Sequence, residues 1–147
     1  MEHTPRELIA ELVHRYADAV VHRDGDQWGS CWAEDARWIL SADRDVVGRE
    51  AIVALWHKAM TGMTAVVQNV YNGTVTVSDD GRTAGARWYI GEHFLRSNDT
   101  PGILLAHYED TYACSEGQWL FTSRQLFPHY QGPPDLSAPF LNAVVSS

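Results

Sequence analysis

The chain has 147 residues and a formal net charge of −8, and 11% of its residues are aromatic. This length suits one domain with a single core, and the aromatic content argues against a disordered chain. Because the few basic residues are scattered, we expect neither nucleic acid nor an anionic membrane as a partner.

The sequence shows no signal peptide and no apolar run long enough to span a bilayer. Its two cysteines, Cys31 and Cys114, belong to no recognisable redox motif. We therefore expect a cytoplasmic protein with reduced thiols.

The first predicted helix begins near Leu8 and carries an apolar stripe at helical spacing. Relative to Tyr16 at the centre of the stripe, Asp18 lies about 160° away and Asp24 about 80° away. Asp18 is therefore expected in solvent. Asp24 falls in the last turn, before Gly25 as C-terminal cap, where the helix dipole disfavours an acid. It either pairs with a cation such as Arg23 or works inside a pocket.

The remaining elements follow a change of period after Gly62. Before it we expect a short second helix over "DQWGSCWAED", a strand over "ARWIL" and a third helix over "GREAIVALWHKAM". After it come four β-branched or aromatic runs joined by turn-rich segments, which predicts a mainly antiparallel sheet. The order indicates one α+β domain over residues 1–147, with an irregular tail over residues 131–147.

Strand alternation predicts which side chains face inward. Trp88 and Glu92 on one strand, and Tyr108 and Asp110 on the next, fall on one face if a hairpin joins these strands. Each inward carboxylate then needs a partner or a wet cavity, because burying it unpaired costs several kcal/mol.

The opposite face is expected to carry His93 and His107. With Glu109 they suggest an incomplete metal site, but no tight His or Cys spacing supports one, and we expect no metal. A polar outer face or a subunit interface is the alternative.

Several segments together resemble a known family. They are "Y-x7-D" from Tyr16 to Asp24, "SCWAEDARWIL", "GREAI", "YEDTY-x6-W" and "FTSRQ". Their order is similar to the SnoaL-like division of the cystatin-like α+β barrel superfamily, which includes ketosteroid isomerase, scytalone dehydratase, polyketide cyclases and hexachlorocyclohexane dehydrochlorinase. The resemblance implies a cone-shaped half-barrel, with N-terminal helices packed on a strongly curved, mainly antiparallel sheet that encloses a pocket.

The resemblance to the dehydrochlorinase also suggests site residues. Asp24 matches its acid, Trp38 its pocket tryptophan and Arg124 its pocket arginine, but Gln68 stands where the catalytic histidine is expected. Glutamine can orient a group or donate a hydrogen bond, yet it cannot abstract a proton. Three alternatives remain: Asp24 is itself the base, His107 or Asp110 replaces the histidine, or the pocket binds without catalysing.

These observations predict a cofactor-independent lyase, isomerase or cyclase for a small, mostly apolar substrate of the polyketide, steroid or terpenoid type. Asp24 would move the proton, while Gln68, Arg124 and Tyr108 would polarise a carbonyl or stabilise an oxyanion, with Asp110 as an alternative catalytic acid. Aromatic side chains would line the pocket, namely Tyr16, Trp38, Trp56, Trp88 and Tyr108.

The competing prediction is a non-catalytic ligand-binding or dimerising accessory subunit on the same fold. In either case we expect a homodimer or higher homo-oligomer, formed through the polar side of the sheet with Tyr89, His93 and Tyr130.

Overall fold

Three helices precede most of the sheet in the computed structural model, which describes residues 2–142. They are α1 (Pro5–His22), α2 (Gly25–Ser30) and α3 (Arg49–Thr61). Thr4 caps α1 by accepting a hydrogen bond from the backbone N–H of Glu7. The predicted stripe of α1 is buried along its whole length, at Ile9, Leu12, Val13, Tyr16, Ala19 and Val20.

One six-stranded sheet follows the order β2-β1-β6-β5-β4-β3. Its strands are β1 (Trp32–Ser41), β2 (Arg44–Val47), β3 (Met63–Val77), β4 (Thr83–Arg96), β5 (Pro101–Ser115) and β6 (Gln118–Gly132). Neighbours pair antiparallel except β1 and β6, which are parallel. The predicted α+β architecture is therefore confirmed, with a curved sheet that does not close. None of the helices in residues 2–142 is long and apolar enough to cross a bilayer.

The end of α1 differs from the prediction. The helix stops at His22, and Arg23, not Gly25, adopts the left-handed conformation, with φ of 55°. Asp24 has extended backbone and caps α2, where its side chain accepts a hydrogen bond from the Gln27 N–H at 3.0 Å. Glycine at position 25 allows α3 to pack closely against the start of α2, because a Cβ there would lie 2.8 Å from the His57 ring.

Two parts of the sheet also differ from the prediction, the start of β1 and the whole of β2. Residues 32–35, predicted as helix, begin strand β1, because Trp32 pairs with Phe121 of β6. Pairing across the sheet overrides the helix preference of alanine and glutamate there. Strand β2 was not predicted, since its four residues are mostly exposed and carry no apolar alternation.

The C-terminal tail lies on the outer side of the sheet. Strand β6 continues to Gly132, so the irregular segment begins at Pro133; residues 143–147 of the predicted tail lie outside the described part. Tyr130 is fully buried and donates its hydroxyl to the Pro133 carbonyl, while the Phe140 ring packs on it at 5.0 Å. The C-terminal tail of the same chain thus covers Tyr130, so Tyr130 is not exposed for the predicted subunit contact.

Candidate functional site

A cavity of about 140 Å³ lies between α1, α3 and the inner face of the sheet. Most of its wall is apolar, and its polar groups come from Tyr16, Gln68, Glu92, Tyr108, Arg44 and Gln131. The apolar lining includes Val20, Trp38, Leu40, Trp56, Ala59, Met60, Met63, Leu104 and Leu126. A mostly apolar cavity with a few convergent polar groups is typical of a small-molecule site.

Gln68 and Glu92 form the polar centre of this cavity. They are register partners on β3 and β4, and the Gln68 Nε2 donates to Glu92 Oε2 at 2.9 Å. Burial raises the pKa of Glu92 above its usual value, and the hydrogen bond from Gln68 opposes this rise. A desolvated carboxyl group with a raised pKa, lying in a cavity, is a candidate for proton transfer.

Tyr16 and Tyr108 also line the cavity and contribute a hydroxyl group each. Burial raises the pKa of both Tyr16 and Tyr108, while the positive charge of Arg124 lowers it. The raised pKa values keep both hydroxyls protonated, and the two hydroxyls lie close enough for each to shift the pKa of the other.

Arg124 and Asp110 do not line the cavity, contrary to the prediction. Arg124 is fully buried and donates to Asp110 through Nε at 2.8 Å and through Nη2 at 3.0 Å. Asp110 also accepts the Tyr112 hydroxyl at 2.6 Å, and Tyr112 in turn accepts from the Trp88 indole N–H at 3.1 Å. Burial raises the pKa of Asp110 and the Arg124 charge opposes this. The network binds both predicted catalytic groups, although Nη1 of Arg124 is buried without a partner. Trp88, which belongs to the same network, is not part of the cavity lining.

The predicted site residues therefore divide into two sets. Tyr16, Trp38, Trp56, Gln68 and Tyr108 come together around the cavity. Trp88, Asp110 and Arg124 lie behind it, and Asp24 is exposed at the start of α2. The expectation that Asp24 faces the pocket was wrong, because the chain turns at Arg23 one residue before it.

Sequence reasoning assigned no role to Glu92, although alternation already placed this acid among inward-facing aromatic residues. Its position opposite Gln68 follows from the β3–β4 register, which has an irregularity between Val70 and Gly73. Arg44 and Gln131 gave no sequence signal. The first lies on the unpredicted strand β2, and the second lies beyond the predicted end of β6.

The outer face carries His93 and His107, but these residues are not cross-strand partners. His107 is opposite Tyr89, and His93 is opposite Ile103. His107 is buried and its Nδ1 lies 2.7 Å from Nε2 of His129, whereas His93 is exposed. Within residues 2–142, His, Cys, Asp and Glu side chains form no group of three that would hold a metal.

A larger depression of about 900 Å³ lies outside the half-barrel, over residues 47–54 and Glu34. It is wide open and brings together no pair of interacting acid and donor groups. The smaller cavity is therefore the better candidate for chemistry, because it is less open and brings an acid, Glu92, together with a hydrogen-bond donor.

Comparison with protein families gives a match over residues 2–125 to a SnoaL-like domain. This range contains α1, the full cavity-lining parts of β3 and β4, and Arg124. A search of curated proteins gave no match.

Solved structures share the same architecture over most of the chain. A candidate scytalone dehydratase from Novosphingobium aromaticivorans has 17% identity and a TM-score of 0.83, covering 97% of this chain and 94% of its own. A type 3 hexachlorocyclohexane dehydrochlorinase from Novosphingobium barchaimii has 16% identity and a TM-score of 0.81, covering 93% of each chain. A candidate aromatic ring hydroxylase from Novosphingobium aromaticivorans has 24% identity and a TM-score of 0.77, covering 83% and 87%. At these identities the likeness establishes the fold.

Proposed function

The chain belongs to the SnoaL-like family, and on that premise we propose that it is a lyase or isomerase that acts without a cofactor. The family and its structural neighbours support this type of chemistry. In the proposal Glu92 transfers the proton, and the substrate is a compact, mostly apolar molecule held in the cavity. Of the predicted polyketide, steroid and terpenoid substrates, the proposal includes those small enough to fit the cavity.

The position of Glu92 is the observation that carries the proposal. It is the one acidic residue that lines the cavity among residues 2–142, and it already accepts a hydrogen bond there from Gln68. Its ionised carboxylate would take a proton from a carbon atom of the substrate. The electron pair then forms a double bond as a neighbouring group leaves, or it is reprotonated at another carbon. The first outcome is a lyase reaction and the second is an isomerisation.

The two tyrosines complete the proposed mechanism. Removal of a proton next to a carbonyl places negative charge on the carbonyl oxygen, and preorganised donors stabilise that charge. Tyr16 and Tyr108 both line the cavity and both stay protonated. The Arg124 guanidinium lies over both rings, at 4.4 Å and 3.7 Å, which adds a positive charge behind the donors.

Hydrogen exchange at carbon tests the proposal before a product is known. Single-ring ketones with an acidic α-hydrogen would be incubated with the protein in D₂O, and loss of the α-hydrogen signal would be followed by NMR. We expect the wild type to accelerate exchange and Glu92→Gln to slow it by about 10²–10⁴-fold, the usual contribution of a general base.

Glu109→Gln is the matched control, because it removes the same charge from the outer face, where Glu109 pairs with Arg87. It should exchange at the wild-type rate. If Glu92→Gln also keeps the wild-type rate, Glu92 is not the base. If the wild type binds these ketones but exchanges none of them, the ligand-binding alternative is favoured.

A further inference from the structure

Arg44 is the one cationic residue that lines the cavity among residues 2–142. It is exposed, as is Gln131, whereas the other lining residues are buried or half-buried. Arg44 and Gln131 therefore lie where the cavity opens to solvent. A charged group at this opening can contact a ligand and still remain hydrated.

The direction of the Arg44 side chain follows from alternation along β2. Val46 is the register partner of Trp38 and packs against the core. Asp45 points to the other side of the strand, where it forms an ion pair with Arg37. Side chains two residues apart share a face of a strand, so Arg44 extends to the same side as Val46. This is the inner side of the sheet, where the cavity lies.

Arg44 has no carboxylate partner within residues 2–142. The arginine–carboxylate pairs there are formed by Arg37, Arg87 and Arg124, and Arg44 forms no such pair with Glu92, the acid of the cavity. A guanidinium group can bind a carboxylate through two parallel hydrogen bonds. The edge of the cavity thus offers an unused site for an anion.

We propose that the substrate is an apolar molecule that carries one carboxylate group, and that Arg44 binds this carboxylate at the opening while the apolar part lies inside, near Glu92. One guanidinium balances the single charge of a carboxylate, whereas a phosphate dianion would retain a negative charge next to Glu92. The inference rests on the proposed function for the choice of cavity, but it concerns binding and needs no turnover.

The position of β2 in the sheet offers another explanation for Arg44. β2 is an edge strand, and an inward-pointing charge on an edge strand hinders pairing with a second chain. Arg44 would then protect the edge and have no effect on the affinity for a ligand. Binding measurements separate the two explanations.

Phenylalkanoates and the amides of the same acids are suitable probes, because each pair matches in shape and only the acid is charged at neutral pH. Benzoate, phenylpropanoate and phenylpentanoate vary the distance between ring and carboxylate. Dissociation constants would be measured by NMR titration of the wild type, Arg44→Gln and Arg82→Gln. Arg82 is also exposed but does not line the cavity, so Arg82→Gln is the matched control for the loss of one positive charge.

We expect at least one carboxylate to bind the wild type and Arg82→Gln more tightly than its amide does. In Arg44→Gln this preference should fall by about two- to fivefold, the range expected for an ion pair that water can reach. A preference that is unchanged in Arg44→Gln, or that falls equally in Arg82→Gln, overturns the proposal. If no carboxylate binds the wild type more tightly than its amide, the proposal is overturned without any variant.

These results are separable from failure of the proposed function. If carboxylates are preferred through Arg44 but Glu92→Gln keeps its exchange activity, the role of Arg44 stands and the catalytic role of Glu92 fails. If Glu92→Gln loses activity and no carboxylate is preferred, only the role of Arg44 fails.

Discussion

The guanidinium carbon of Arg124 lies 3.7 Å from the centroid of the Tyr108 ring. Arg124 is absent from the cavity wall, yet Tyr108 is part of it. The same guanidinium also packs on Tyr16, the other tyrosine of the wall. A buried cation held by Asp110 thus fixes two rings whose hydroxyls are proposed to act on the substrate, and it contributes to the site through them.

Arg124→Met should destabilise the fold strongly. It removes the ion pair and leaves Asp110 buried without its main partner, which typically costs about 3–5 kcal/mol. Urea unfolding measures the loss. The double variant Asp110→Asn/Arg124→Met should lose less than the two single variants added together, because it leaves no uncompensated charge.

Arg87→Met is the control for this experiment. Arg87 also forms a bidentate ion pair, with the carboxylate of Glu109. This pair lies on the outer face, and both of its side chains are partly exposed. Its loss should cost much less than the loss of Arg124, because water screens an exposed pair. Equal losses in Arg87→Met and Arg124→Met would show that burial of the inner pair is energetically unimportant.

Glu92→Gln should stabilise the protein at neutral pH. Burial raises the folded-state pKa of Glu92 above that of the unfolded chain. The folded state therefore holds the proton more tightly, and stability falls as the pH rises from the unfolded pKa through the folded pKa. The variant lacks this loss. Denaturant unfolding at about pH 5 and about pH 8 should show a stabilisation that is larger at the higher pH.

Glu109→Gln should behave in the opposite sense. The hydrogen bond from Arg87 lowers the pKa of Glu109, so the ionised carboxylate stabilises the folded state above its unfolded pKa and the benefit is lost at low pH. Its removal should destabilise the protein at neutral pH. If both glutamate variants shift stability in the same direction, the assignment of Glu92 as a desolvated acid is wrong.

Asp24→Ala should affect stability through the cap of α2. The carboxylate accepts the Gln27 N–H, and loss of such an N-cap typically costs about 0.5–2 kcal/mol. Asp24→Asn should cost less, because asparagine also caps helices well. Thermal unfolding compares them with Asp26→Ala, which removes an exposed acid of the same turn that is not the capping residue.

The exchange rate at carbon should stay at the wild-type level in Asp24→Asn. A loss of exchange there would return the catalytic role to Asp24.

His107→Phe should weaken the decline of stability in mild acid. Burial lowers the pKa of His107, and the neighbouring His129 lowers it further while Glu109 raises it. As the pH falls below about 6.5, the unfolded chain takes up a proton that the folded state still rejects, so stability decreases. The phenylalanine variant lacks this contribution. His93→Phe, which changes an exposed histidine of the same face, is the comparison variant. A pH dependence of His107→Phe that runs parallel to that of the wild type would contradict the assignment.

Much of the fold followed from periodicity. The apolar stripe of α1 and the alternation along β4 and β5 identified the buried faces, because burial imposes those periods on the sequence. That same alternation placed Tyr108 inward and His107 outward. The short strand β2 could not be predicted in this way, because it is mostly exposed and its sequence therefore carries no burial pattern.

The site was only partly predictable, for reasons of geometry. Asp24 was misplaced because a left-handed Arg23 ends α1, and arginine gives no signal for that conformation. Arg124 was matched to a pocket arginine, but the β5–β6 register places it opposite Asp110, which binds it. Pairing of Gln68 with Glu92 likewise depends on register across an irregular ladder, which pattern and composition do not determine.

The parallel pairing of β1 with β6 has a consequence for folding kinetics. Trp38 of β1 is the register partner of Arg124 of β6, although most of the chain lies between them. The hairpins among β3, β4, β5 and β6 join neighbouring segments and can form early, whereas this ladder must close a long loop first. We expect the part of the cavity wall that Trp38 provides to assemble late. A ligand that requires this wall would then slow unfolding without accelerating refolding.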